Sequence, residues 1–201
     1  LADKKLRIIV GVAGRAESGK DTICDFARSI LTNKNFVAKK IACADPLKDI
    51  CEDVFWKSHG VPPQAFYGAQ ADKNADLAAH GLSGWSGRKI LQYIGTEGFR
   101  YIDSTIWAKH VAYRANQLYE GVYDAVFVSD VRFPEEAEAI KSIGGVIWRV
   151  YRPSSDQPTS QGLSGHQSET SVDKIIHDRV IHNGGTLDDL RARVDDLLST
   201  L

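Results

Sequence analysis

The chain has 201 residues, 43% of them hydrophobic, enough to bury one substantial core that carries small insertions. Its 25 basic and 26 acidic side chains leave a net charge of −1 with no basic stripe, which argues against nucleic acid as the main partner and confines any positive field to a cleft. Cys24, Cys43 and Cys51 form no CxxC pair and sit in apolar stretches, as reduced core residues of a cytoplasmic protein do, and no secretory signal or membrane span is legible.

The first element is a buried strand predicted over Leu6–Ala13, followed by Gly14-R-A-E-S-G-Lys20 and then Asp21 and Thr22. Ile23, Phe26, Ala27, Ile30 and Leu31 recur at helical spacing, so a helix is predicted over 19–32. Strand, GxxxxGK, hydroxyl and helix together form the pattern of a phosphate-binding loop. Main-chain amides around Gly14, Ser18 and Gly19 would point at phosphate oxygens, the helix N-terminus would add its dipole, and Lys20 would reach the β and γ phosphates. The plainer reading is a glycine-rich turn without a ligand. One departure stands out: Asp21 occupies the place usually held by Ser or Thr, with Thr22 one residue later. A magnesium ion would then be held directly by Thr22, or through waters ordered by Asp21 and Thr22.

A second strand is predicted over Val37–Ala44 and a helix over 46–57, with Pro46 suited to the first helical turn. Lys48 near that helix N-terminus gains nothing from the dipole unless an anion is bound; a solvated lysine is the alternative. Residues 58–87 break the rhythm with Gly60, Pro62, Pro63, Gly68, Gly81, Gly84 and Gly87, and read as a substrate cap. Helices follow over 88–101 and 103–119. On the first, Arg88, Gln92 and Gly95 fall at i, i+4 and i+7, on one helical face, where an arginine could clamp a phosphate and the glycine would admit a close neighbour. Trp85 and Trp107 are candidate walls beside a nucleobase, Trp107 ahead of Trp85, against the commoner fate of tryptophan as a core residue.

Ala125–Ser129 reads as a buried strand and runs into Asp130, the form of an acid that orders magnesium and its waters, although a helix cap has the same form. Arg132 follows two residues on, on the same side of an extended chain. Then come a helix over 134–143, a strand over Val146–Tyr151, a polar segment over 153–170 that reads as a lid, a strand over Val180–His182 and a helix over 186–199. Strands separated by helices imply a parallel sheet with helices on both faces. The six histidines show no zinc pattern, and no GxSxG or guanine-reading NKxD segment is present.

Seven motifs spread over most of the chain resemble the deoxynucleoside monophosphate kinases of tailed bacteriophages: SGKDT at 18–22, ADPLK at 44–48, RKILQYIGTE at 88–97 with Trp107 after it, SDVRFxxE at 129–136, RVYRP at 149–153, HQSE at 166–169 and IHNGGTLDDL at 181–190. The resemblance implies a three-layer α/β/α P-loop fold with a five-stranded parallel sheet: one domain with its core at 1–57, 88–152 and 171–201, a nucleotide-binding insertion at about 58–87 and a lid at about 153–170. It implies ATP and Mg2+ at Gly14 to Thr22, with the adenine near Arg152 and the loop from Asn183 to Thr186. It implies an acceptor nucleotide near Leu47, Lys48, Arg88, Gly95, Thr96, Trp107, Asp130, Arg132 and Glu136. Some members carry basic residues where this chain has Ala16 and Glu17, and no arginine lies between Pro153 and Thr170, so transition-state charge falls to Lys20, Arg88, Arg132, Arg152 or another residue.

The expected catalytic set is Lys20, Arg88, Asp130 and Arg132, with Thr22, Asp21 and Asp130 around magnesium, directly or through water. The acceptor's phosphate has a second pKa of about 6, so it is ionised at neutral pH and needs no general base. The expected partners are small-molecule nucleotides, without nucleic acid or membrane, in the cytoplasm (of the infected host, for a phage protein); the exposed-looking aromatics of 58–87 and the resemblance allow a homodimer. Two other readings compete: a P-loop kinase of another phosphorylated acceptor, of phosphomevalonate or dephospho-coenzyme A type, and a nucleotide-binding module without catalysis.

Overall fold

A computed structural model of the chain describes residues 8–153 and 171–201, which form two compact units, 8–43 with 108–153 and 171–201, and Ala44–Trp107. The lid reading at 153–170 lies, beyond Pro153, outside the described residues.

The first unit is built on a five-stranded parallel sheet: β1 (Ile8–Ala13), β2 (Ala38–Ala42), β3 (Ala125–Val131), β4 (Val146–Tyr151) and β5 (Arg179–His182), in the order β2-β3-β1-β4-β5. Strand parity sorts the side chains. Ile8, Val10 and Val12 face one core with Phe127, Trp148 and Val150, covered by α1 (Lys20–Asn33) and the C-terminal helix Leu187–Leu198. Ile9 and Ala13 face the other with Val126, Val128 and Ile147, covered by Val111 and Ala115 of the helix Ile106–Glu120 and by Ala137 and Ile140 of the helix Pro134–Ser142. Gly11 lets that second layer close: a Cβ there would stand 2.7 Å from Ile147 Cδ1 and 2.9 Å from Ile140 Cδ1.

The parity fails once. Ala125 and Phe127 belong to the first core, so Val131 should too, yet it lies in the second. Between Gly11–Val128 and Ala13–Val131 the pairing shifts by one residue, a bulge on β3. Inside it Asp130 takes a left-handed backbone, φ 66°.

The second unit has its own core of Leu47, Cys51, Val61, Ala65, Phe66, Leu77, Ile90 and Trp107. Its helices are α2 (Asp45–His59), α3 (Gln64–Tyr67), α4 (Gln70–Asn74) and α5 (Gly87–Gln92). Because α2, α5 and Trp107 share that core, the unit is broader than the 58–87 insertion expected from composition. The single helix expected over 88–101 is instead α5 followed by a π-helical segment, Tyr93–Arg100. The helices Ile106–Glu120, Pro134–Ser142 and Leu187–Leu198 are α6, α7 and α8 in chain order.

Candidate functional site

The turn from β1 into α1 is a glycine loop whose backbone bends inward. Gly19 is left-handed (φ 97°) and opens α1 directly, while Glu17 (φ 59°) is left-handed without being glycine. Two side chains brace the loop from outside: Arg152 donates to the Glu17 carbonyl at 3.0 Å, and Asn183 Nδ2 donates to the Ser18 carbonyl at 2.8 Å. A Cβ on Gly19 would stand 2.5 Å from that Asn183 nitrogen, and one on Gly14 would stand 2.5 Å from Ser18 Oγ. Gly19 is therefore needed both for conformation and for room, and Gly14 for room.

Lys20 is buried. Its ammonium donates to the carbonyls of Gly14 (2.9 Å) and Arg15 (2.7 Å) and stands 3.6 Å from the Asp130 carboxylate. Ser18 Oγ is fully buried and has no hydrogen-bond partner among the described atoms. A buried hydroxyl without a partner is costly. A phosphate oxygen in the loop is the group that would satisfy it, so the loop fits a nucleotide's phosphates.

Arg132 and Asp130 are joined by a 2.8 Å ion pair. Glu136 is buried and accepts from the main-chain N–H groups of Arg132 (2.9 Å) and Phe133 (3.2 Å), capping α7. It bears on the site through the backbone that carries Arg132. Asp21 turns away from the loop: its side chain is 73% exposed and lies 3.5 Å from Lys40. Burial works against the charge of Lys40, but its hydrogen bond to Asp25 and the fields of Asp21 and Asp25 outweigh that and raise its pKa. Thr22 is half-buried in the first turn of α1. Among the described residues no group of three or more His, Cys, Asp or Glu side chains could hold a metal. A magnesium ion bound mainly by phosphate oxygens and waters needs only one or two protein oxygens, which Thr22 and Asp130 could supply.

Within the second unit, Arg88 donates to Gln70, and its Nε is buried without a partner. Lys48 stands 3.9 Å from Asp45 and 5.5 Å over the Tyr67 ring, whose hydroxyl donates to Asp49. Leu47 and Trp107 are core residues here: Trp107 is 8% exposed, packs edge-on against Phe99, and donates its indole N–H to the Gly95 carbonyl at 3.2 Å. Gly95 admits Leu47, since a Cβ would meet Leu47 Cδ2 at 2.7 Å. The close neighbour expected at Gly95 is thus a leucine side chain, and the π segment carrying Thr96 is fixed by the indole. Trp85 and Tyr93, by contrast, are exposed and meet edge to face.

Sequence reasoning passed over one cluster. Arg15, the loop's own arginine, donates to Asp173 at 2.7 Å, and Arg149 of β4 donates to the other oxygen of the same carboxylate at 2.9 Å. Arg15 was visible in the motif. Its partner, 158 positions away, was not.

The sequence profile of the deoxynucleotide monophosphate kinase family matches residues 55–194. A protein of Acanthamoeba polyphaga mimivirus, named as a candidate deoxynucleotide monophosphate kinase, is 28% identical over 198 residues, spanning 93% of this chain and 94% of its own length. An uncharacterized protein, ORF77 of Ictalurid herpesvirus 1 (strain Auburn), is 27% identical over 200 residues, spanning 98% of this chain and 73% of its own. Among solved structures, the APS kinase of Mycobacterium tuberculosis in complex with AMPPNP and APS superposes with a TM-score of 0.50 at 13% identity, covering 96% of this chain and 98% of that one, a likeness of fold alone. The fold is the three-layer α/β/α arrangement of P-loop kinases, and with the profile spanning most of its length the chain belongs to the deoxynucleotide monophosphate kinase family.

Proposed function

We propose that the chain transfers the γ-phosphoryl group of ATP to the phosphate of a deoxynucleoside monophosphate, giving the diphosphate and ADP. The observation that carries this reading is the braced glycine loop, with the buried Lys20 ammonium at its mouth and the partnerless Ser18 hydroxyl inside. Phosphate oxygens of ATP take the amides of the loop, and Lys20 exchanges its two carbonyl partners for the β and γ phosphates. Thr22 and Asp130 would hold magnesium, which would supply charge neutralisation to the donor's phosphates.

For the acceptor's phosphate the first unit offers Arg132, and the second unit, taken by itself, offers Lys48 and Arg88. Arg88 brings a guanidinium nitrogen already stripped of water. Glu136 fixes the backbone that bears Arg132, and Gly95 and Trp107 fix the stretch that presents Thr96. In the transfer, an acceptor oxygen forms a bond to the γ-phosphorus while the bond to the bridging oxygen breaks, and ADP leaves with the electron pair. No proton need move, so the site requires positioning and positive charge rather than a base.

The test is ADP release in a coupled assay, run with ATP and Mg2+ across the deoxynucleoside monophosphates. Turnover is expected with at least one of them, and Lys20→Ala should lower it by about 1,000-fold, the scale on which a lost transition-state donor acts. ADP release only with a phosphorylated acceptor that is not a nucleotide would move the chain to another kinase chemistry. Magnesium-dependent ATP binding without turnover on any acceptor would leave a nucleotide-binding module.

A further inference from the structure

We propose that Arg15 binds the terminal phosphate of the donor nucleotide and that Asp173 is its resting counter-ion. The inference rests on the reading of the loop as an ATP site and assigns a side chain that the loop motif itself leaves unspecified.

The sheet order places the loop between two neighbours. On the β3 side stand Asp130 and Arg132; on the β4 side stand Arg149, whose residue pairs with Ala13, and Arg15. The Arg15 main chain already forms part of the mouth, because its carbonyl accepts from Lys20 at 2.7 Å. Its guanidinium and that of Arg149 share the single carboxylate of Asp173 at 2.7 and 2.9 Å. On the other side of the same turn Lys20 and Arg132 stand with Asp130.

The pair can be exchanged. Asp173 is 46% exposed and Arg15 29%, so solvent screens their attraction. A terminal phosphate carries more negative charge than a carboxylate and accepts a guanidinium through two oxygens. Asp173 keeps its second guanidinium, Arg149, when Arg15 leaves, so no carboxylate is stranded. The amides of the loop and the start of α1 serve the inner phosphate. During transfer charge is spread over the outer phosphate's three equatorial oxygens, which calls for cations besides Lys20, and the loop carries Arg15 itself.

The experiment compares ADP with the non-hydrolysable analogue AMPPNP, each with Mg2+, by calorimetry on the parent protein, Arg15→Ala and Arg15→Lys. In Arg15→Ala, AMPPNP affinity should fall about 10-fold or more while ADP affinity stays within about 2-fold, and kcat should fall about 100-fold at an unchanged acceptor KM. Arg15→Lys should recover part of the AMPPNP preference, which a purely structural role would not produce. Equal weakening of both nucleotides, or of neither, overturns the assignment while leaving the ATP site intact. A parent protein that binds neither nucleotide sinks the ATP site and this assignment together.

Discussion

Asp130 holds a left-handed backbone at the point where β3 slips by one residue against β1. An L-residue takes that conformation at a cost of about 1–2 kcal/mol, and glycine takes it freely. Strain of this kind concentrates at working residues, and here it turns the carboxylate toward both Lys20 (3.6 Å) and Arg132 (2.8 Å). Two substitutions separate strain from function. Asp130→Gly should be more stable than Asp130→Ala by about 1 kcal/mol, because both lose the carboxylate and only alanine keeps the strain. Both should lose most activity, so equal melting temperatures for the two variants would remove strain from the account. The acid at the strand end was legible in the run from Ala125 to Asp130. The bulge was not, because nothing in a continuous apolar run marks where a ladder will skip. Glu136 is a similar case: a sequence reading can place it near Arg132, but that its carboxylate holds main-chain N–H groups emerges only from the geometry.

The elements of the sheet-bearing unit were readable because their periodicities are long and uninterrupted. β1 is buried along its whole length, and α1 buries Ile23, Cys24, Ala27, Ile30 and Leu31 at helical spacing. The 88–101 stretch was misread in period: its apolar residues suit a 3.6-residue repeat, while Tyr93–Arg100 winds with i→i+5 bonds. The cause lies in packing that a one-dimensional pattern does not carry, with Leu47 against Gly95 and the Trp107 indole on the Gly95 carbonyl. Arg88 and Gly95 therefore do not share a face in the simple way the spacing suggests. Two glycines, Gly87 just before this stretch and Gly95 within it, differ in what they tolerate. A Cβ on Gly87 would fall 1.8 Å from the Ala65 carbonyl oxygen, a backbone atom, whereas on Gly95 it meets the end of a leucine. Gly87→Ala should cost about 3 kcal/mol in urea unfolding and Gly95→Ala about 1 kcal/mol, since only the latter clash is relieved by a rotamer change. Equal midpoints would show that the Gly87 backbone approach is not tight.

At the scale of the molecule, stability should respond to acid through the links between strands. Asp178, just before β5, accepts from the Ile147 main-chain N–H at 2.7 Å and from Lys141 at 3.1 Å. Its partial burial favours the neutral acid, but these hydrogen bonds and the Lys141 and Arg179 charges prevail and hold the carboxyl below its ordinary value. A folded-state value below the unfolded one of about 3.9 means that the contribution is complete above that pH and fades as pH falls through the folded value. Asp178→Ala should therefore lower stability by about 1 kcal/mol at pH 7, modest because solvent screens the site, and by progressively less below about pH 4. Urea midpoints of both proteins from pH 7 to pH 2.5 check this; a constant gap would remove ionisation from the effect. Among the described residues no helix is long and apolar enough to cross a membrane.

Residues 44–107 form their compact unit from one uninterrupted stretch of chain, with a private core of Leu47, Cys51, Phe66, Ile90 and Trp107, while the sheet is assembled from the segments on either side. Genetically, such a stretch behaves as a cassette. A recombination that swaps it between relatives severs the chain at only two places and carries the side chains of its core along together. Its exchange would leave the glycine loop and every strand of the sheet uncut.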